Sequence, residues 1–177
     1  MEKLIGIQEI NDAFDAWLEK YGFSARIREM DTDFWWYHDN TISYSLFFPD
    51  IAVPIFFKVL DDLGCEYEFD NFFFPVFLHE LGHSATYYAM SEDDVEISEE
   101  ATAALAAINR EYEVSDYETY YYIPTEYAAT KWAVEFINNH FDAVQELMDT
   151  VGAAIRRFYE LNEMVTEEMV GGQVCSM

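Results

Sequence analysis

Apolar residues at Ile7, Ile10, Phe14, Trp17 and Leu18 recur at helical spacing and predict a first helix over 7–20, closed by Gly22. The period then shortens. Three pieces rich in aromatic and β-branched residues follow: FSARIRE (23–29), DFWWYH (33–38) and TISYSLFF (41–48). In the third, Ile42, Tyr44 and Leu46 alternate with Ser43 and Ser45, the pattern of a strand with one covered face. The polar HDN at 38–40 supplies a turn before it.

Helical spacing dominates the rest. Asp50 is placed to cap a helix ending near Leu63, with Pro54 tolerated in its first turn and Gly64 beyond its end. CEYEFD (65–70) alternates apolar with acidic positions and predicts a brief strand. A long apolar helix is expected from Phe72 to Met90. Ser91 and Asp94 then have the spacing of a capping box, and Ser98 is a second possible cap for EEATAALAAINREY. SDYETYYYIP (115–124) reads as a connection whose tyrosines are strand, loop or pocket wall. Helices are expected over 125–139 and 141–161, the second carrying Val144, Leu147, Val151, Ile155 and Phe158 on one stripe. Strands early and helices late predict an α+β fold, a small mixed or antiparallel sheet with a mostly helical C-terminal half. Residues 1–165 are expected to form one domain, and 166–177, ending in VGGQVCSM, a frayed tail.

Charge changes the picture more than composition does. Apolar residues make up 51% of the 177 positions, enough for a real core. Yet 35 acidic residues against nine basic ones give a formal charge of -26, a field that repels nucleic acid and anionic lipid and favours cations. No Lys or Arg occurs between Lys58 and Arg110. The plain reading of this acidity is a solvated surface; the sharper alternative is a mimic of DNA charge. Cys65 and Cys175 form no C-x-x-C pair, so neither a disulfide framework nor a thiolate zinc site is indicated. Early acidic residues argue against a signal peptide, and no apolar stretch is long enough to span a bilayer, so a cytoplasmic location is expected.

The chemistry concentrates in HELGH, residues 79–83. On a helix, His79 and His83 stand one turn apart on the same face, where two neutral imidazoles hold one Zn²⁺. Glu80 flanks them as the general base of an H-E-x-x-H hydrolase, and Gly82 leaves a bare patch for another element to approach. The alternative is a pair of hydrogen-bonded core histidines with Glu80 as an ion partner. A catalytic zinc takes a third protein ligand. Ala89 and Thr86 stand where a metzincin has histidine and glycine, which rejects that subclass. Glu126, opening a helix whose Ala128, Ala129 and Ala133 permit close packing, is the best third ligand; Asp93, Asp94, Glu118 and Glu135 compete.

With these residues in view, the sequence resembles the gluzincin zinc peptidases, in particular the ImmA/IrrE-like metallopeptidases. HELGHS matches their active helix, and EYAATKWAVEFI (126–137) is similar to their later helix through Ala129, Trp132 and Ala133. The resemblance spans about residues 40–137 and departs at Ala128, where the family often has a second acid. It implies a zincin-like core with a sheet beside the active helix. It also implies His79, His83 and Glu126 as zinc ligands and Glu80 as catalytic glutamate, in a family with intracellular repressor-cleaving members.

Hydrolysis also needs a donor for the developing oxyanion; Tyr120, Tyr121, Tyr122 and His140 are candidates, each otherwise wall, surface or helix link. An exposed edge of TISYSLFF would pair with an extended peptide, unless Trp35, Trp36 and Phe47 fill a closed core. The leading expectation is a zinc-dependent endopeptidase acting on neutral or basic peptide or protein segments, without direct nucleic-acid or membrane binding. The alternatives are a non-enzymatic acidic interaction protein on a zincin scaffold, or hydrolysis of a non-peptide amide.

Overall fold

The structure is a computed structural model and describes residues 6–30, 34–46, 53–110 and 112–162. Helix α1 (Ile7–Tyr21) ends as expected at Gly22, whose φ of 78° lets its N–H turn back to the last carbonyls. Strands β1 (Arg26–Glu29), β2 (Trp35–Tyr37) and β3 (Thr41–Tyr44) form a mixed sheet in the order β1-β3-β2. β1 runs parallel to β3 with Ile27 opposite Ile42, and β2 antiparallel with Trp36 opposite the same residue. Asn40, at φ 64°, closes the turn between β2 and β3 by donating its N–H to Tyr37 O at 2.8 Å.

This order corrects one expectation. Thr41–Tyr44 of TISYSLFF is the central strand, hydrogen-bonded on both sides, so among the described residues it offers no edge to a peptide. Among the described residues the outer edge beside the active helix belongs to β2. Its period of two buries Trp36 and leaves Trp35 half exposed, so only one of the adjacent tryptophans is core. Phe47 and Asp50 lie outside the described residues, as does the 166–177 tail.

Helix α2 (Val53–Asp62) is followed by CEYEFD, which does alternate, with Cys65, Tyr67 and Phe69 turned inward. It is nevertheless not a strand. Asn138 braces its start: Glu66 N–H donates to Asn138 Oδ1 at 2.9 Å, and O of the preceding Gly64 accepts from Asn138 Nδ2 at 2.8 Å. The segment therefore packs Cys65, Tyr67 and Phe69 against the core without belonging to the sheet.

Helix α3 (Phe73–Thr86) stops four residues earlier than its apolar run suggests and passes into a short 3₁₀ turn at Tyr87–Ala89. Ser91 caps α4 (Glu92–Ala106), accepting from Asp94 N–H at 3.2 Å. Ser98 is not a cap. It is buried within α4, donates to Asp94 O and accepts the N–H of Thr125. The tyrosine run is a helix as well, α5 (Val114–Tyr121), rather than a connection. Asp116 organises its first turn by accepting from Glu113 N–H at 2.7 Å and pairing with Arg110 at 2.6 Å. Helices α6 (Pro124–Asn139) and α7 (Phe141–Leu161) fall where the periodicity places them.

The stripe of α1 packs on Val144, Leu147, Val151 and Phe158 of α7, on Phe77, Leu78 and Leu81 of α3, and under the sheet at Ile42 and Tyr44. A smaller cluster joins Phe56 and Leu60 of α2 to Tyr121 and Val134. No helix among the described residues is long and apolar enough to cross a membrane. The contact that positions the site is the one between α3 and α6. Gly82 lies so close to Ala129 that a Cβ built there would be 2.9 Å from the Ala129 Cα, and Ala129 and Ala133 are fully buried.

Gly82→Ala should therefore destabilise the fold by about 1–3 kcal/mol, the usual cost of overpacking. That exceeds the roughly 1 kcal/mol that alanine returns as a better helix former. Denaturant unfolding checks this; an unchanged or raised midpoint would contradict the close approach.

Candidate metal centre and groove

From Phe77 to His83 every residue of α3 is buried, and both imidazoles face α6. Helical spacing brings the His79 and His83 rings to 4.8 Å, nearly perpendicular. Close packing at Gly82 brings the first turn of α6 across from them. His79 Nε2 is 3.1 Å and His83 Nε2 3.3 Å from the same oxygen, Glu126 Oε2. One donor atom from each of these three buried residues lies within 4.8 Å of the others.

Hydrogen bonding fixes the chemistry of this meeting point. Thr130 Oγ1 is 2.8 Å from Glu126 O, a carbonyl that can only accept, so the threonine proton is committed there. The same oxygen is 2.9 Å from His79 Nδ1 and must accept from it. His79 therefore carries a proton on Nδ1, and as the neutral imidazole of a metal ligand it would turn its Nε2 lone pair toward the carboxylate. In that neutral form two acceptors would face each other across 3.1 Å in a buried site, so the pair needs a shared cation, a proton or a metal ion.

The protonation tendencies agree. Burial alone would push Glu126 up, but the hydrogen bonds to His79 and His83 outweigh it and hold the carboxyl far below its ordinary range. Burial would lower His83, but its bond to Glu126 raises it. The pocket draws positive charge, and two imidazoles with one carboxylate are the donor set of a catalytic Zn²⁺. The residues present fit that ion, in the arrangement of an HExxH gluzincin site.

Glu80 sits beside these donors without joining them, its Oε1 4.0 Å from His79 Nε2. Burial raises its pKa, while the neighbouring imidazoles and the backbone N–H of Trp36 act the other way. A carboxylate so placed can exchange a proton next to the cation. This is the geometry of a zinc-dependent hydrolase rather than of an inert scaffold, since holding a metal requires the histidines but not that acid.

The remaining candidates separate cleanly. Asp93, Asp94, Glu118 and Glu135 are exposed and outside the donor group; Glu135 instead faces Lys131 at 4.0 Å. Tyr120 lines the groove over the site and hydrogen-bonds Glu126. Tyr121 turns into the second cluster against Phe56, Tyr122 is exposed and stacks on Tyr127, and His140 joins α6 to α7 against Phe136. None of these three lines the groove. Sequence reasoning missed Thr130, Trp36, whose ring stacks on His83 at 6.0 Å, and the groove face of α4. Thr130 lies one helical turn after Glu126, on the same face of α6, but only its partner on α3 marks it as part of the site.

Above the donors a groove of about 430 Å³ opens between β2 and α4, reaching Glu80, His83 and Glu126 at its floor. Searches against protein-family models, curated proteins and solved structures found no match.

Thr130→Val, which keeps the shape but loses the acceptor for His79 Nδ1, should weaken Zn²⁺ binding about 10–100-fold, as loss of a ligand's hydrogen-bond partner does. Thr130→Ser should retain most of the affinity. Competition with a chromophoric chelator measures both, and full affinity in the valine variant would contradict the assigned tautomer.

Proposed function

We propose that this chain is a zinc-dependent metallopeptidase in which Glu80 is the general base and His79, His83 and Glu126 are the metal ligands. The observation that carries the reading is the convergence of two imidazole nitrogens and a buried carboxylate beside a second carboxylate, outside the donor set, at the floor of an open groove. When bound there, Zn²⁺ supplies a Lewis acid that polarises a carbonyl and brings the pKa of a water toward 7.

The chain's own residues account for the rest. Glu80, with its pKa raised by burial, takes the proton of the attacking water and returns it to the leaving amine. Thr130 keeps the His79 ring in register through Nδ1. Tyr120 is the best-placed oxyanion donor among the four candidates. Burial first, then the charges of Glu126 and Glu80, hold its hydroxyl protonated; that proton is given to Glu126 at the groove floor and would serve an oxyanion by turning from that carboxylate to the substrate oxygen.

A peptide suits the groove better than a compact amide does, because β2 borders it with a strand edge along which an extended chain can lie. The resemblance to ImmA/IrrE-like peptidases points the same way and supports a cytoplasmic protein substrate. The acidity supports neutral or basic segments over acidic ones. Nothing in the site favours the charge-mimic alternative.

Glu80→Gln should keep Zn²⁺ and the fold while lowering peptide hydrolysis by about 10²–10⁴, the usual share of a general base. Cleavage of a quenched-fluorescent peptide library at the wild-type rate would reject the assignment. Tyr120→Phe should lower kcat with little change in KM, by about 10²–10³ if the hydroxyl serves the oxyanion. A rise in KM alone would make Tyr120 a wall of the groove.

A further inference from the structure

The wall of the groove opposite β2 is the face of α4 that carries Val95, Glu99, Ala103 and Ala106. Spacing of four, four and three residues keeps them on one side of the helix. Ser98 and Thr102 line the groove beside them, so Glu99 is the single fixed charge that α4 presents there among small, apolar and hydroxyl side chains. The other residues lining the groove include Trp35, Trp36, His38 and Tyr87, with the Trp36 and Tyr87 rings 5.0 Å apart and tilted at 46°. The Glu99 charge reaches the opposite wall: burial first, and then Glu99, raise the Tyr87 hydroxyl above its ordinary range. No Lys or Arg lines the groove.

An occupant of this space meets aromatic faces on one side, a helix of small residues on the other and an unneutralised carboxylate. An acidic side chain would be repelled by Glu99 and by Glu80 and Glu126 beneath it. A purely apolar one would strip water from Glu99 and leave it unpaired. An arginine suits this mixture: its methylenes pack on small side chains, its guanidinium favours aromatic neighbours, and its N–H fork pairs with a carboxylate.

We propose that Glu99 is a specificity-determining residue, selecting peptide substrates that carry an arginine side chain next to the bond held over His79, His83 and Glu80. This rests on the peptidase reading of the site for its biological meaning, but binding tests it apart from catalysis. A carboxylate at the mouth of a solvated groove gains from such a pair less than a buried one does, and the preference falls as salt rises.

The experiment uses short fluorescent alanine-glycine peptides that carry one arginine or its neutral isostere citrulline at successive positions. Their binding is measured by anisotropy on the Zn²⁺-loaded Glu80→Gln protein, and their cleavage on the wild type. The expected result is roughly fivefold to tenfold tighter binding of the best arginine peptide over its citrulline twin, a difference of about 1–1.4 kcal/mol. Glu99→Gln should bring that ratio near one and Glu99→Lys should invert it. Glu96→Gln, on the same helix but outside the groove, should leave it in place. Equal binding of the twins, or an equal loss of preference in Glu96→Gln, overturns the assignment to Glu99. Arginine-selective binding without wild-type cleavage would overturn the peptidase reading alone, whereas cleavage blind to arginine would overturn only the specificity proposal.

Discussion

A carboxylate withdrawn from water must be given a cation, and Glu126 is more than nine-tenths buried with two imidazole nitrogens within 3.3 Å of one of its oxygens. Much of the surrounding structure follows from meeting that requirement in one place. α3 and α6 must pack closely enough for the carboxylate to reach across, which is why Gly82 faces Ala129 without room for a methyl group. The first imidazole must present a lone pair, which is why Thr130 stands one turn beyond Glu126 to hold its other nitrogen. A generic pair of packed helices needs neither feature. The sheet then lies over the same helix, with Trp36 stacked on His83, so the ion site is walled by aromatic surface on one side and open along the edge of β2.

How much of this was legible in the sequence depended on whether the signal was local. HELGH declares itself because i and i+4 on a helix is a local geometry, and the apolar residues before it fix that helix without tertiary help. Glu126 was legible for a less direct reason. The alanines after it advertised a helix built for close approach, and the glycine in HELGH was its counterpart. Thr130 was missed because a threonine in an alanine-rich helix looks like ordinary surface until its partner on another helix is known. The tyrosine run was misassigned for the same reason. Its propensity is ambiguous, and the interactions that make it helical, Asp116 with Arg110 and with the Glu113 N–H, organise the start of the helix from outside the run. CEYEFD shows the converse. Its burial alternates as expected, yet alternation reports which residues face inward, not whether a second strand is present to pair with them.

The extreme acidity takes on a more specific meaning beside the site. A net charge of -26 spread evenly would serve solubility alone. Here α4, the helix forming one wall of the groove, carries Glu92, Asp93, Asp94, Glu96, Glu99 and Glu100 and no basic residue. That concentration of negative charge beside the three donors favours a divalent cation there, and the metal site does not call for the DNA-mimic reading.

The central claim is that these three side chains hold one zinc ion, and X-ray absorption at the zinc edge of the protein loaded with one equivalent tests it most directly. The account predicts two imidazole nitrogens at about 2.0–2.1 Å and carboxylate oxygen in the remaining protein coordination, with no sulfur. A shell made only of oxygens, or a protein that returns all its zinc to a weak chelator, would contradict it.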